Sequence, residues 1–269
     1  MNTATATGVL PPQDYAAPLV AKIRSPKQKY DVWRISAWGG LVFLFGQLLG
    51  WGYLGVGIPP NEPGIPLNDL FAYYTEHSMR IRFGMTISVI ICPFYFVWSA
   101  LISRVMIKVD GSDSVIAVIE QMGGVITAVI GLVGASAWMA AAYHVEERTP
   151  EIVRALHEFG WFFFDTTYWA TTLQELALGY VFLIDQRAKP LVPKWVAWYS
   201  IFSGLALVPL SLLPFFYTGP FAWSGFVGYW IALGTWFFWV LMLSWAMFGA
   251  INRLQQEEEA MLAIAGKQA

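Results

Sequence analysis

Asp165, Gln174 and Glu175 sit among four threonines in a run from 159 to 184 that is otherwise apolar enough to cross a membrane. A carboxyl near mid-bilayer costs on the order of 2.5 to 3.5 kcal/mol on insertion scales, so ionisable residues there face the bundle interior and serve a proton, an ion or a ligand. At about 100° per residue, Asp165, Tyr168, Thr172 and Glu175 fall near one helical stripe, with Gln174 beside it. The helical rise separates the two carboxyls by roughly 15 Å. That is too far for a shared proton and suits the lining of a pocket or a short path. The competing reading is polar glue that only fixes helix packing.

Other apolar runs add candidate partners. Gln47 is the single polar residue of its run, and Tyr95, Trp98, Ser99 and Arg104 lie in another. Arg104 is the basic residue placed to pair with Glu175, or else to snorkel to the headgroups. Trp161, Trp169, Trp236, Trp239 and Trp245 can wall a pocket, although aromatics near span ends also form interfacial belts. A protonated carboxyl in such a pocket can act as a general acid, and a reversible one as a proton site in transport.

Several chemistries find no support. There is no Gly-rich loop followed by Lys-Ser or Lys-Thr, so nucleotide binding is not expected. Three histidines are too few for a membrane di-iron site. A weaker metal or pH-sensing candidate is the group His77, His144, Glu147 and His157, in which His144 and Glu147 are spaced to share a helix face. Cys92 is the only cysteine, which rules out an internal disulfide. No cofactor is expected, and with a formal net charge of −2 neither is nucleic-acid binding.

The elements that must position these residues follow from composition. Of 269 residues, 57% are hydrophobic and 13% charged, about half the charge of a soluble domain. The expected fold is all-α, a polytopic transmembrane bundle of six spans near 35–58, 82–106, 123–145, 159–184, 195–216 and 226–251. It divides into a largely disordered basic segment over 1–34, the helical domain over 35–252, and a cytoplasmic tail over 253–269 in which Leu254 to Ala265 reads as a short helix after span six. The basic cluster at 22–34 precedes a full-length span, unlike a cleaved secretory leader, and suits contact with anionic lipid headgroups.

Twelve of the 16 Lys and Arg fall in the first segment, the loops after spans two and four, and the tail. The positive-inside rule then puts both termini in the cytoplasm. Asn68 is read as the cap of an interfacial turn carrying Leu70, Phe71, Tyr73 and Tyr74, and Thr149-Pro150 as a helix start that can run into span four. Pro93, Pro209 and Pro214 are expected to bend spans two and five, and the pairs Gly46 with Gly50 and Gly131 with Ala135 to allow close helix approach.

Thr218-Gly219-Pro220-Phe221-Ala222-Trp223-Ser224-Gly225, with Tyr73-Tyr74-Thr75-Glu76-His77 and the stretch from Gln174 to Gly179, resembles an uncharacterised family of small bacterial six-span membrane proteins, a domain of unknown function. The resemblance covers most of 35–250 and implies a fold and a bacterial inner-membrane address, with no activity. Three functions stay open: a non-catalytic subunit of a membrane complex with a pocket for a small apolar or amphipathic molecule, a proton-linked carrier or permease, and a membrane-embedded isomerase or cyclase using a carboxyl acid.

Overall fold

Prolines set the breaks in this chain. The computed structural model describes residues 26–55 and 57–268, all of it helices and loops with no strand among the described residues. The expectations for 1–25 lie outside the described residues. Helix α1, Pro26–Gln47, continues as a π-helical segment, Leu48–Leu54. Helices α2, Leu67–Ile91, and α3, Pro93–Asp110, form one long rod bent where Pro93 cannot donate to the preceding turn. Helix α4 spans Val115–Ala142, α5 spans Pro150–Thr166 and α6 spans Trp169–Ile184. Helix α7, Lys194–Ala206, tightens into a 3₁₀ segment, Val208–Phe215, which holds both Pro209 and Pro214. A π-helical turn, Phe226–Ile231, leads into α8, Ala232–Gln268.

Among the described residues five helical stretches are long and apolar enough to cross a membrane: Lys27–Leu54, Leu67–Asp110, Val115–Ala142, Lys194–Phe215 and Phe226–Ala265. The continuous run expected over 159–184 is instead two shorter helices, because the chain leaves helical geometry at Thr167. Three other boundaries move. No separate interfacial turn precedes span two, since α2 starts at Leu67 after Pro66 and runs straight on, with Asn68 in its first turn and no side-chain cap. The tail is no separate helix either, because α8 continues through it. Helix α4 begins eight residues before the expected 123, with Ser114 Oγ accepting from Ala117 N at 3.0 Å as its cap.

Six helices close a ring. Helix α1 packs on α8 and α3, α3 on α4, α4 on α6, α6 on α7, and α7 on α8. Helices α2 and α5 pack on α4 and on each other. The π-helical segment after α1 lies against α2 because glycine lets the backbones touch. A Cβ on Gly84 would lie 2.4 Å from Gly55 N and 2.5 Å from Gly50 O.

The loops sort into two faces. At one, Arg187 after α6 donates to Lys108 O at 2.7 Å and pairs with Glu257 of α8 at 3.5 Å, while Tyr30 donates to Leu254 O at 3.1 Å and to Glu258 at 2.8 Å. At the other, Trp223 donates to Asn61 O at 2.8 Å and Arg154 to Ile65 O. The start of α1 and the end of the membrane-length part of α8 therefore share a face, the one built from the basic loops.

Candidate functional site

The break between α5 and α6 is the centre of the site. Thr167 and Tyr168 interrupt the fourth apolar run, so Asp165 ends one helix while Thr172, Gln174 and Glu175 belong to the next. Asp165 is buried, its Oδ2 has no hydrogen-bond partner, and it lines an internal cavity of about 60 Å³. Part of the wall comes from irregular stretches as well: Trp51 from the π-helical segment, and Leu207 and Leu210 from the entry to the 3₁₀ segment. Such irregular helical turns free backbone groups and recur at functional sites. Gln47, Thr127 and Thr171 add polar lining, and Trp138, Phe164, Trp236 and Phe237 aromatic lining.

A second, smaller cavity of about 20 Å³ lies next to the first. It is lined by Asn61, Tyr73, Tyr74, His157 and Trp161, and it shares Trp51 and Trp138 with the Asp165 cavity. Two indoles therefore lie between Asp165 and the loop that carries Asn61, at the face opposite the basic loops.

One helical turn or more away is a polar cluster of another kind. Glu120 of α4 is fully buried, and it accepts from Ser99 Oγ at 3.0 Å, from Ser103 Oγ, and from Gln174 Nε2 at 2.9 Å. Tyr95 donates to Gln174 Oε1 at 2.9 Å. Each polar group of this set finds its complement. The α3–α4 approach needs Gly124, where a Cβ would lie 2.1 Å from Ser99 Oγ.

The expected residues thus separate into three places. Asp165, Gln47 and Tyr168 line the cavity; the Gln47 amide donates to Ser88 O at 3.1 Å, and Tyr168 is hydrogen-bonded to Ser211. Gln174 and Ser99 belong to the Glu120 cluster. Thr172 and Glu175 face α7. Thr172 donates to Gly204 O at 3.0 Å, and Glu175 lies beside Ser203 and Gly204, Ser203 being its polar neighbour, with no well-aligned hydrogen bond to either carboxyl oxygen among the described residues. The single stripe is therefore divided, because the break at Thr167 uncouples Asp165 from the turn geometry of α6.

Arg104 is exposed and makes no ion pair with Glu175. Among the proposed tryptophan walls only Trp236 lines this cavity. Trp239 is buried and donates to Ser200 Oγ at 2.9 Å, Trp161 lines the smaller cavity, and Trp169 and Trp245 are exposed.

The histidines do not form one site. His157 is buried with Nδ1 2.9 Å from Tyr74 OH, while His144 is exposed and faces Glu147 at 3.3 Å. His77 stacks edge-on against Tyr73. Among the described residues no three His, Cys, Asp or Glu gather in a way that could hold a metal ion.

Glu120 was the residue missed by sequence reasoning, because an apolar window starting at 123 leaves it in a loop. The signal was Ser114, a capping residue followed at once by Val115-Ile116-Ala117-Val118-Ile119. No family model, curated protein or solved structure matches the chain.

Proposed function

We propose that the chain is a six-span membrane protein of the bacterial cytoplasmic membrane that works as a proton-linked carrier of a small amphipathic molecule. The α5–α6 pair supplies the sixth crossing, as a broken span. An even number of crossings agrees with the shared face of Tyr30 and Leu254, and the basic loops at that face favour the cytoplasm. Impermeant thiol labelling of Glu62→Cys but not Glu259→Cys in intact cells checks this orientation.

One observation carries the carrier reading: Asp165, with a free oxygen, lines a cavity to which three irregular stretches contribute, the π-helical segment after α1, the α5–α6 break and the entry to the 3₁₀ segment. Broken helices around a central site are how carriers expose backbone polarity to a substrate inside a membrane. None of Asp165, Glu175 and Glu120 forms an ion pair among the described residues. A carboxyl in that position is neutralised by a proton or by something that enters from outside the chain. Trp51 and Trp138, shared by the two cavities, are placed as the gate between Asp165 and the outer face.

Proteoliposomes holding an internal pH dye test this reading. Challenged with small amphipathic amines, alcohols and acids, the protein is expected to move protons with at least one class, and Asp165→Asn at equal reconstituted amount is expected to abolish that movement. Absence of compound-dependent proton movement across the panel, or full movement with Asp165→Asn, overturns the carrier reading.

A further inference from the structure

The walls of the Asp165 cavity select a chemistry. Trp51, Trp138, Phe164, Trp236 and Phe237 supply ring surface, and Asp165 supplies the one carboxyl. The indole nitrogen of Trp138 is turned toward Gly160, where an added Cβ would lie 2.6 Å from it, and the N–H groups of Trp51, Trp138 and Trp236 have no acceptor among the described residues. No Lys, Arg or His is among the described lining residues. The other titratable groups near Asp165 are spoken for: the Tyr168 hydroxyl is hydrogen-bonded to Ser211, and that of Tyr229 donates to Gly57 O.

Consider what each ligand class would meet there. An anion meets a carboxyl with no compensating charge. A neutral apolar molecule fills the space and leaves Asp165 Oδ2 buried without a partner, which costs the full desolvation of that oxygen. A cation satisfies both features, because ring faces attract it through their quadrupole and the carboxylate balances its charge. A cavity of about 60 Å³ exceeds the about 10–15 Å³ that one water needs, so waters can fill it at rest and a compact headgroup enters only as the surrounding rings move apart.

We infer that the site takes a small organic cation, an ammonium headgroup carrying alkyl substituents, in exchange for the proton on Asp165. This rests on the carrier reading above and specifies its substrate class. The exchange balances: the neutral carboxyl releases one proton to the aqueous side from which the cation came, and the resulting carboxylate pairs with the cation. The occupied cavity is then as electroneutral as the empty one, which lets both states sit in the membrane without an unpaired charge.

The test uses purified full-length protein in nanodiscs and three probes of similar shape: tetramethylammonium, neopentyl alcohol and pivalate. Binding is read from quenching of tryptophan fluorescence and from proton release in weakly buffered solution. Tetramethylammonium is expected to bind roughly thirtyfold more tightly than neopentyl alcohol, with stoichiometric proton release, and pivalate not to bind. Asp165→Asn is expected to abolish the proton release and the charge preference while melting at the wild-type temperature.

The wild-type comparison needs no variant, so a folding defect in Asp165→Asn leaves it decisive. Equal binding of the cation and the alcohol, or cation binding without proton release, overturns the cation assignment. The carrier reading survives that result if the proteoliposome assay still gives proton movement with another compound class, and falls separately if it does not.

Discussion

Two carboxyls buried in the same helical bundle have opposite surroundings. Glu120 receives hydrogen bonds from Ser99, Ser103 and Gln174, and Gln174 is in turn held by Tyr95. Asp165 lines a cavity with an oxygen that nothing among the described residues engages. Burial alone therefore does not mark a functional acid. Saturated polar groups stabilise and specify a packing arrangement, whereas an unsatisfied one beside empty space is held ready for something else. Glu175 is the instructive third case: neither oxygen has a well-aligned hydrogen bond among the described residues, yet it does not line the cavity.

The same substitution at different sites breaks this comparison most directly. Glu120→Met keeps an unbranched side chain of similar length and strands the donors of Ser99 and Gln174, while Ser103 retains Ala117 O as an acceptor at 3.0 Å. Two orphaned buried donors cost roughly 2–5 kcal/mol together. Thermal or denaturant unfolding in detergent is expected to show this loss. A stability within about 0.5 kcal/mol of wild type would mean that the cluster is not the packing element its geometry implies.

How much of this was legible in the sequence depends on whether the signal was local. Proline positions located the bend at Pro93 and the tightening of α7, because a missing N–H acts at its own position. Small residues located the close approach at Gly50, where Gly84 of α2 meets it. The intramembrane acids at 165 and 175 stood out against their apolar neighbours. The break at Thr167 did not, since Thr166, Thr167 and Tyr168 carry no proline or glycine; there Thr166 and Thr167 donate back to the carbonyls of Phe162 and Phe163, and Tyr168 is hydrogen-bonded to Ser211 of the 3₁₀ segment after α7. Helical periodicity then placed Asp165 and Glu175 on one stripe that the backbone divides. Pairing was the least legible feature: Glu120 and Gln174 lie 54 residues apart, and nothing in either local sequence announces the other.

A satisfied carboxylate outside the membrane-spanning segments sharpens the contrast through pH. Asp185 follows α6 and accepts from Leu191 N at 2.8 Å, Arg187 N at 3.2 Å and the Arg187 guanidinium at 3.0 Å. Burial alone pushes its carboxyl up, but these donors and the guanidinium charge outweigh burial and hold it below the usual carboxylate range. A group depressed in the folded state contributes stability that is present above its unfolded value, about 3.9, and lost as pH falls through the folded value. The melting temperature is therefore expected to drop as pH is lowered through that range, and Asp185→Asn to flatten this part of the profile. An unchanged acid limb in Asp185→Asn would show that the loop between α6 and α7 does not depend on the ionised carboxylate.

The smallest change is expected where the sequence drew most attention. Glu175 is fully buried, has no well-aligned hydrogen bond to either oxygen among the described residues, and sits against Gly204, whose added Cβ would lie 3.3 Å from Oε2. Removing its carboxyl strands nothing comparable to the donors around Glu120, and an apolar side chain of similar length relieves the desolvation of an unpaired polar group. Glu175→Met is thus expected to lie within about 1 kcal/mol of wild type or to be more stable, in the same unfolding experiment that shows the loss for Glu120→Met. Proton movement in the proteoliposome assay then separates the remaining roles: retained movement confines the function to Asp165, whereas its loss at unchanged stability makes Glu175 a second proton station beside α7. A loss of stability comparable to that of Glu120→Met would contradict the distinction between saturated and unsatisfied carboxyls on which the comparison rests.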